Sequence, residues 1–108
     1  VFESWRVEMS PATQRVVEPA RPVLVNLNAI LGSPDDAFRL DTVELRIKSE
    51  GLDVFRDRVP GLLHAWAQTT RGGWLALISC DVKSGNGKGH LPIGQWCPAR
   101  AVTPDRGR

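Results

Sequence analysis

The chain has 108 residues, room for one domain around a single core. Its hydrophobic share of 42% and charged share of 24% suit a folded chain, and no run approaches the roughly 18 apolar residues of a membrane-spanning helix. The net charge of +2 does not by itself imply a polyanionic partner, but residues 1–58 hold eight Lys/Arg against ten Asp/Glu (−2) and residues 59–108 hold six against two (+4), a mild positive bias in the C-terminal half.

In chain order, FESWRVEM places Trp5, Val7 and Met9 two apart, the pattern of a half-buried strand. Ser10-Pro11 stops it or opens a helical turn over ATQRVVE, and EPARP, with two prolines three residues apart, is expected to be extended connection. VLVNLNAIL fits two periods. Val23, Val25, Leu27 and Ala29 alternate as in a strand, whereas Leu27, Ile30 and Leu31 fit a helical turn; the valines favour the strand, with Asn26 and Asn28 on its other face. Ser33-Pro34-Asp35-Asp36 is the clearest helix start, predicting a short helix through Leu40. TVELRIK alternates Val43, Leu45 and Ile47 against charged residues and is expected to be a strand with one wet face, although Asp41 and Glu44 could form a capping box for a helix instead. Leu52, Phe55 and Val59 then fit a short amphipathic helix that stops at Pro60-Gly61.

Residues 62–103 are expected to fold back on themselves as strands. Gly72-Gly73 is a two-residue hairpin signal between LLHAWAQTT and WLALISCDV, and Asn86-Gly87 marks a second turn before HLPIGQWC. If Gly72-Gly73 is the first loop, Arg71 faces Trp74, Ala67 faces Ile78, Ala65 faces Cys80 and Leu63 faces Val82. If Asn86-Gly87 centres the second, Val82 faces Leu91, Cys80 faces Ile93 and Ala76 faces Cys97. One face is then a core of Leu63, Ala65, Ala67, Ile78, Cys80, Val82, Leu91 and Ile93. The other gathers His64, Trp66, Gln68, Leu75, Leu77, Ser79, Asp81 and Trp96, with His64 paired to Asp81. Such a face is either a recognition surface or a second layer covered by the N-terminal half. The assignment requires Trp66 and Ile78 to lie on opposite sides.

This rhythm of strand, tight turn, longer strand, Gly-rich loop, strand, then the turn CPAR into a last short strand AVTP resembles the SH3-like small β-barrels over about 45 C-terminal residues. The resemblance implies binding of proline-rich peptides, modified tails or nucleic acid. The absence of Tyr departs from the tyrosine-rich groove of peptide-binding SH3 domains.

The remaining chemistry is thin. SGNGKGH has neither the Walker spacing nor the dinucleotide spacing, leaving a mobile basic loop able to touch phosphate. His64, Cys80, His90 and Cys97 lack the short paired spacing of a zinc site, and no nucleophile completes a site with His64 and Asp81. The two cysteines are expected to be reduced, in a cytoplasmic protein. The chain starts at Val1 without a basic-then-apolar leader pattern, which suggests an excised domain or a processed product.

The expectation is an α+β fold forming one domain over residues 1–108. An N-terminal part, 1–58, of short strands and one or two short helices is built onto a small antiparallel SH3-like barrel over 59–104, with a disordered tail at 105–108. Its expected role is non-catalytic: a nucleic-acid-associated binding module without cofactor, metal or membrane partner. Arg71, Lys83, Lys88 and Arg100 would contact phosphate, and Trp66, Trp96 and His64 would form the remaining surface. The alternative is a protein-interaction or self-association domain using the same aromatic face.

Overall fold

The structure, a computed structural model, describes residues 1–32 and 43–106. The helix expected from Ser33, and Asp41 of the alternative capping box, lie outside the described residues. Among those described, five antiparallel strands form one sheet curled into a half-barrel: β1 (Gln14–Val25), β2 (Val59–Gln68), β3 (Trp74–Lys83), β4 (His90–Pro98) and β5 (Val102–Pro104). Their spatial order is β4-β3-β2-β1-β5. Two short helices, α1 (Leu27–Leu31) and α2 (Leu45–Glu50), fall between β1 and β2, and a 3-10 turn (Ala99–Ala101) precedes β5. No described helix is long and apolar enough to cross a membrane.

The core lies on one side of the sheet, the inner face. Val23 and Val25 from β1, Val59 and Leu63 from β2, Ala76, Ile78, Cys80 and Val82 from β3, and Cys97 from β4 are buried there with Leu27 and Ala101. Rows of paired residues run across it, including Arg15–Trp66–Ala76–Cys97 and Val23–Gly61–Cys80–Ile93. Gly61 is required where it stands. A Cβ there would lie 2.7 Å from the Ser79 carbonyl oxygen and 3.2 Å from Val25. The expected helix stop at Pro60-Gly61 is therefore the interior of a strand.

Three N-terminal expectations are corrected. Residues 1–13 form no strand: Trp5 and Met9 are exposed by 38% and 83%, so the alternation of FESWRVEM marks no buried face. The helical turn considered for ATQRVVE is strand from Gln14 onward, and EPARP is extended as expected but lies inside β1, where the register breaks between Val16 and Arg21. VLVNLNAIL is divided at Asn26. Its Oδ1 accepts from the Ala29 amide at 3.1 Å, so the chain stops pairing after Val25 and turns into α1.

TVELRIK is also corrected, from strand to helix. Leu45 and Ile47 are exposed by 82% and 47%, so its alternation marks no buried face. The end of α2 is held by backbone bonds instead. The Asn86 amide donates to the Ser49 carbonyl at 2.8 Å, and the Gly85 amide donates to Gly51 at 2.9 Å. The third expected helix, at Leu52 to Val59, is absent: Leu52 bridges to Ser84 and Val59 opens β2.

Candidate nucleic-acid interface

The two hairpins decide which side chains meet. In β3–β4 the register is the expected one: Val82 faces Leu91, Cys80 faces Ile93 and Ala76 faces Cys97. In β2–β3 it is not. Gln68, rather than Arg71, faces Trp74. A two-residue type I′ loop needs positive φ at both central positions, and here Gly72 alone has it, at +88°. The loop is therefore residues 69–73, held by the Thr69 amide donating to Gly73 at 2.8 Å and the Gly72 amide donating to Thr69 at 2.9 Å.

That shift spans an odd number of residues, so it turns the upper half of β2 over. Ala65 then faces Leu77, Trp66 faces Ala76 and Ala67 faces Leu75. Below them the register slips again at His64, and Leu63 returns to the inner face opposite Ile78. The consequence is a correction. Trp66 shares a side with Ile78 and packs against the core, while Ala67 and Ala65, the latter buried as expected, belong to the outer face. Trp96, opposite Leu77, lies on that outer face. Trp66 and Trp96 do not form one platform.

The inner face instead joins Trp66 to two residues that sequence reasoning passed over. Arg15 is its neighbour on β1, and Trp74 stands at the start of β3. Together with Ala99 these three line a cavity of ≈ 490 Å³ at one end of the half-barrel. A second cavity of ≈ 390 Å³ shares Arg15 and Trp66 and adds Arg21, Pro22, Val102 and Pro104, with Glu18 on its lining. Both indoles are half-buried and Arg15 is exposed. No ring contact joins Trp66 to Trp74, so neither indole stacks on the other. The signal for Trp74 was TTRGG read as a whole loop; Arg15 carried no signal, because its segment looked helical.

Two of the expected cations stand at this end. Arg71 lies in the 69–73 loop, and Arg100 lies in the 3-10 turn reached just after Pro98, which faces Leu75. Lys83 and Lys88 stand at the other end of β3, roughly 30 Å away at about 3.3 Å per residue. The Lys88 loop also differs from the phosphate-cradling loop considered for it. All five amides from Gly85 to Gly89 donate to protein acceptors: Gly51, Ser49, the Ser84 carbonyl, Asn86 Oδ1 and Ser84 Oγ respectively. No amide in that run is left to hold an anion.

His64 does not pair with Asp81. Its Nε2 and Ser79 Oγ share a hydrogen bond of 2.7 Å, while Asp81 Oδ2 lies 3.7 Å from Nδ1 of His90. The carboxylate that would orient His64 beside a serine is thus on another imidazole. Cys80 and Cys97 are free and buried, and burial raises both thiol pKa values above the ordinary range, with smaller contributions from Asp81 and from Cys80 respectively.

No protein-family model matches this chain, and comparison with curated proteins and with solved structures finds no match. The reading of this end of the sheet rests on its own geometry.

Proposed function

We propose that the protein is a non-catalytic nucleic-acid-binding module that uses the Trp66–Trp74 end of an SH3-like barrel. The barrel reading is supported by the strand order, a four-strand meander whose fifth strand returns to β1 after a 3-10 turn. On this reading the barrel includes β1 and spans more of the chain than its C-terminal 45 residues.

One observation carries the functional reading: two half-buried indoles line a single cavity with Arg15, beside turns bearing Arg71 and Arg100. Rings offer a stacking surface for bases, and guanidinium groups hold phosphate by paired hydrogen bonds as well as charge. Three such cations give a salt dependence of log K against log [salt] of about −2 to −3. Titrating random-sequence DNA and RNA at several salt concentrations tests this. Absence of binding at low salt overturns it.

The outer face supports a second reading, docking onto a protein. Val16, Ala65, Leu77 and Trp96 form an apolar row across four strands, with Val16 exposed by 50% and Trp96 by 36%. Phe2 covers part of it, its ring centroid 6.0 Å from that of Trp96. Self-association through this row would be seen in sedimentation without nucleic acid and would persist in high salt.

A further inference from the structure

We infer that the Trp66–Trp74 cavity takes an unpaired nucleobase, so that the protein selects single-stranded over double-stranded nucleic acid. The inference rests on the nucleic-acid reading above and narrows it.

Three features support the narrower statement. The first is the placing of the indoles: both line one cavity of ≈ 490 Å³ and no ring contact joins them, so neither ring is the other's stacking partner. The second is partial burial. Trp66 packs against the core, and both rings are only partly accessible. In a duplex the faces of each base are covered by its neighbours, so only a base swung out of the stack can lay a face on an indole.

The third feature is charge. Paired indoles are also the walls of sites for quaternary ammonium groups. Among the described residues, the only charged side chain lining the cavity is Arg15, a cation, and no carboxylate lines it. That repels an ammonium ligand and favours a planar group attached to a phosphate. Arg71 and Arg100, on the turns at the same end, continue the positive surface along which a strand would leave the cavity.

The test compares a short oligothymidylate with a blunt hairpin duplex of equal length, by intrinsic fluorescence quenching and by anisotropy of a labelled strand at low salt. The single strand should bind at least about tenfold more tightly than the duplex. Trp74→Ala should weaken single-strand binding by about 5- to 150-fold, the effect of losing one stacked base, and Trp74→Phe should restore most of it. Trp96→Ala, on the outer face, should leave the affinity unchanged. Trp74 is preferred to Trp66 because Trp66 packs against the buried core cluster and its loss would also cost stability.

Equal affinity for duplex and single strand, with Trp74→Ala indifferent, overturns this inference while leaving salt-dependent nucleic-acid binding in place. Tighter binding of a trimethyl-lysine peptide than of oligothymidylate overturns the charge argument. Failure of both nucleic acids to bind at low salt overturns the functional reading as well.

Discussion

The two hairpins of the sheet share β3 but are built on different terms. The β3–β4 turn is a tied structure. Ser84 is buried, its Oγ accepts from the Gly89 amide at 2.9 Å and donates to Asn86 Oδ1 at 2.7 Å, and Gly87 alone takes a positive φ. A Cβ on Gly85 would run into the Lys48 carbonyl oxygen, so the loop sits directly on the end of α2. The β2–β3 loop has fewer restraints, and its strand carries a bulge at His64. The tied hairpin keeps the register that its turn residues dictate. The looser one has its register set by what the core accepts, and there the two indoles and Arg15 meet. A turn with every amide satisfied has little left for a ligand; the cavity lies where the regular pattern is broken.

The sharpest way to break that contrast is to delete His64. Without the extra residue, either Trp66 turns to the outer face or the lower half of β2 loses its inward Leu63. The expected cost is about 3–5 kcal/mol, the range for losing a large core side chain, read from denaturant unfolding. Where Trp66 is the residue that turns, a quenching measurement would show it more accessible in the folded fraction. Unchanged stability and fluorescence would mean that the bulge does not govern the face of Trp66.

That deletion also marks where the sequence stops being legible. The pairing of β3 with β4 could be read, because Asn86-Gly87 admits few alternatives and Cys80, Val82 and Ile93 then fall inward together, although Leu91, expected in the same core, is 49% exposed. For β2 the same rule failed. GG offered a short loop, TTRGG a longer one, and pattern alone does not weigh an alanine at 65 against a tryptophan at 66 for the inner face. Elsewhere the apolar period misled because backbone bonds decided the structure: α2 is fixed through Ser49 and Gly51, not through Leu45 or Ile47. The candidate site was half legible for the same reasons. Trp66, Arg71 and Arg100 stand at one end as basic and aromatic residues of interest, whereas Trp74 needed the correct loop length and Arg15 the correct element.

A smaller effect compares the loops directly. Ser84→Ala removes a buried hydroxyl and leaves the Gly89 amide without its acceptor, at a cost of about 1 kcal/mol. Thr69→Ala, in the other loop, removes only a 3.4 Å contact from the Arg71 amide and should cost less than half as much. Amide exchange should quicken at Gly89 in the first variant and change little at Arg71 in the second. Equal costs would remove the distinction between a tied and a loose hairpin.

The last effect is read along the pH axis and reports on both ends of the β3–β4 ribbon. Cys97 lies in the Trp66 row and Cys80 in the Gly61 row, and burial raises the thiol pKa of each above its ordinary value. A thiol whose folded pKa is raised keeps its proton in the native state after the unfolded chain has begun to lose it. Its stabilising share is therefore whole below the ordinary thiol range, near 8.5, and is lost as pH rises from there through the folded value. The loss approaches about 1.4 kcal/mol per pH unit for each thiol as an upper limit. The chain contains no Tyr, so no buried phenol adds to this slope. Replacing both cysteines with alanine lowers stability at neutral pH but should flatten its decline between pH 8 and 10. If the slope survives the double substitution, the protons are being lost elsewhere, and the two rows are not the dry interior that fixes Trp66 from below.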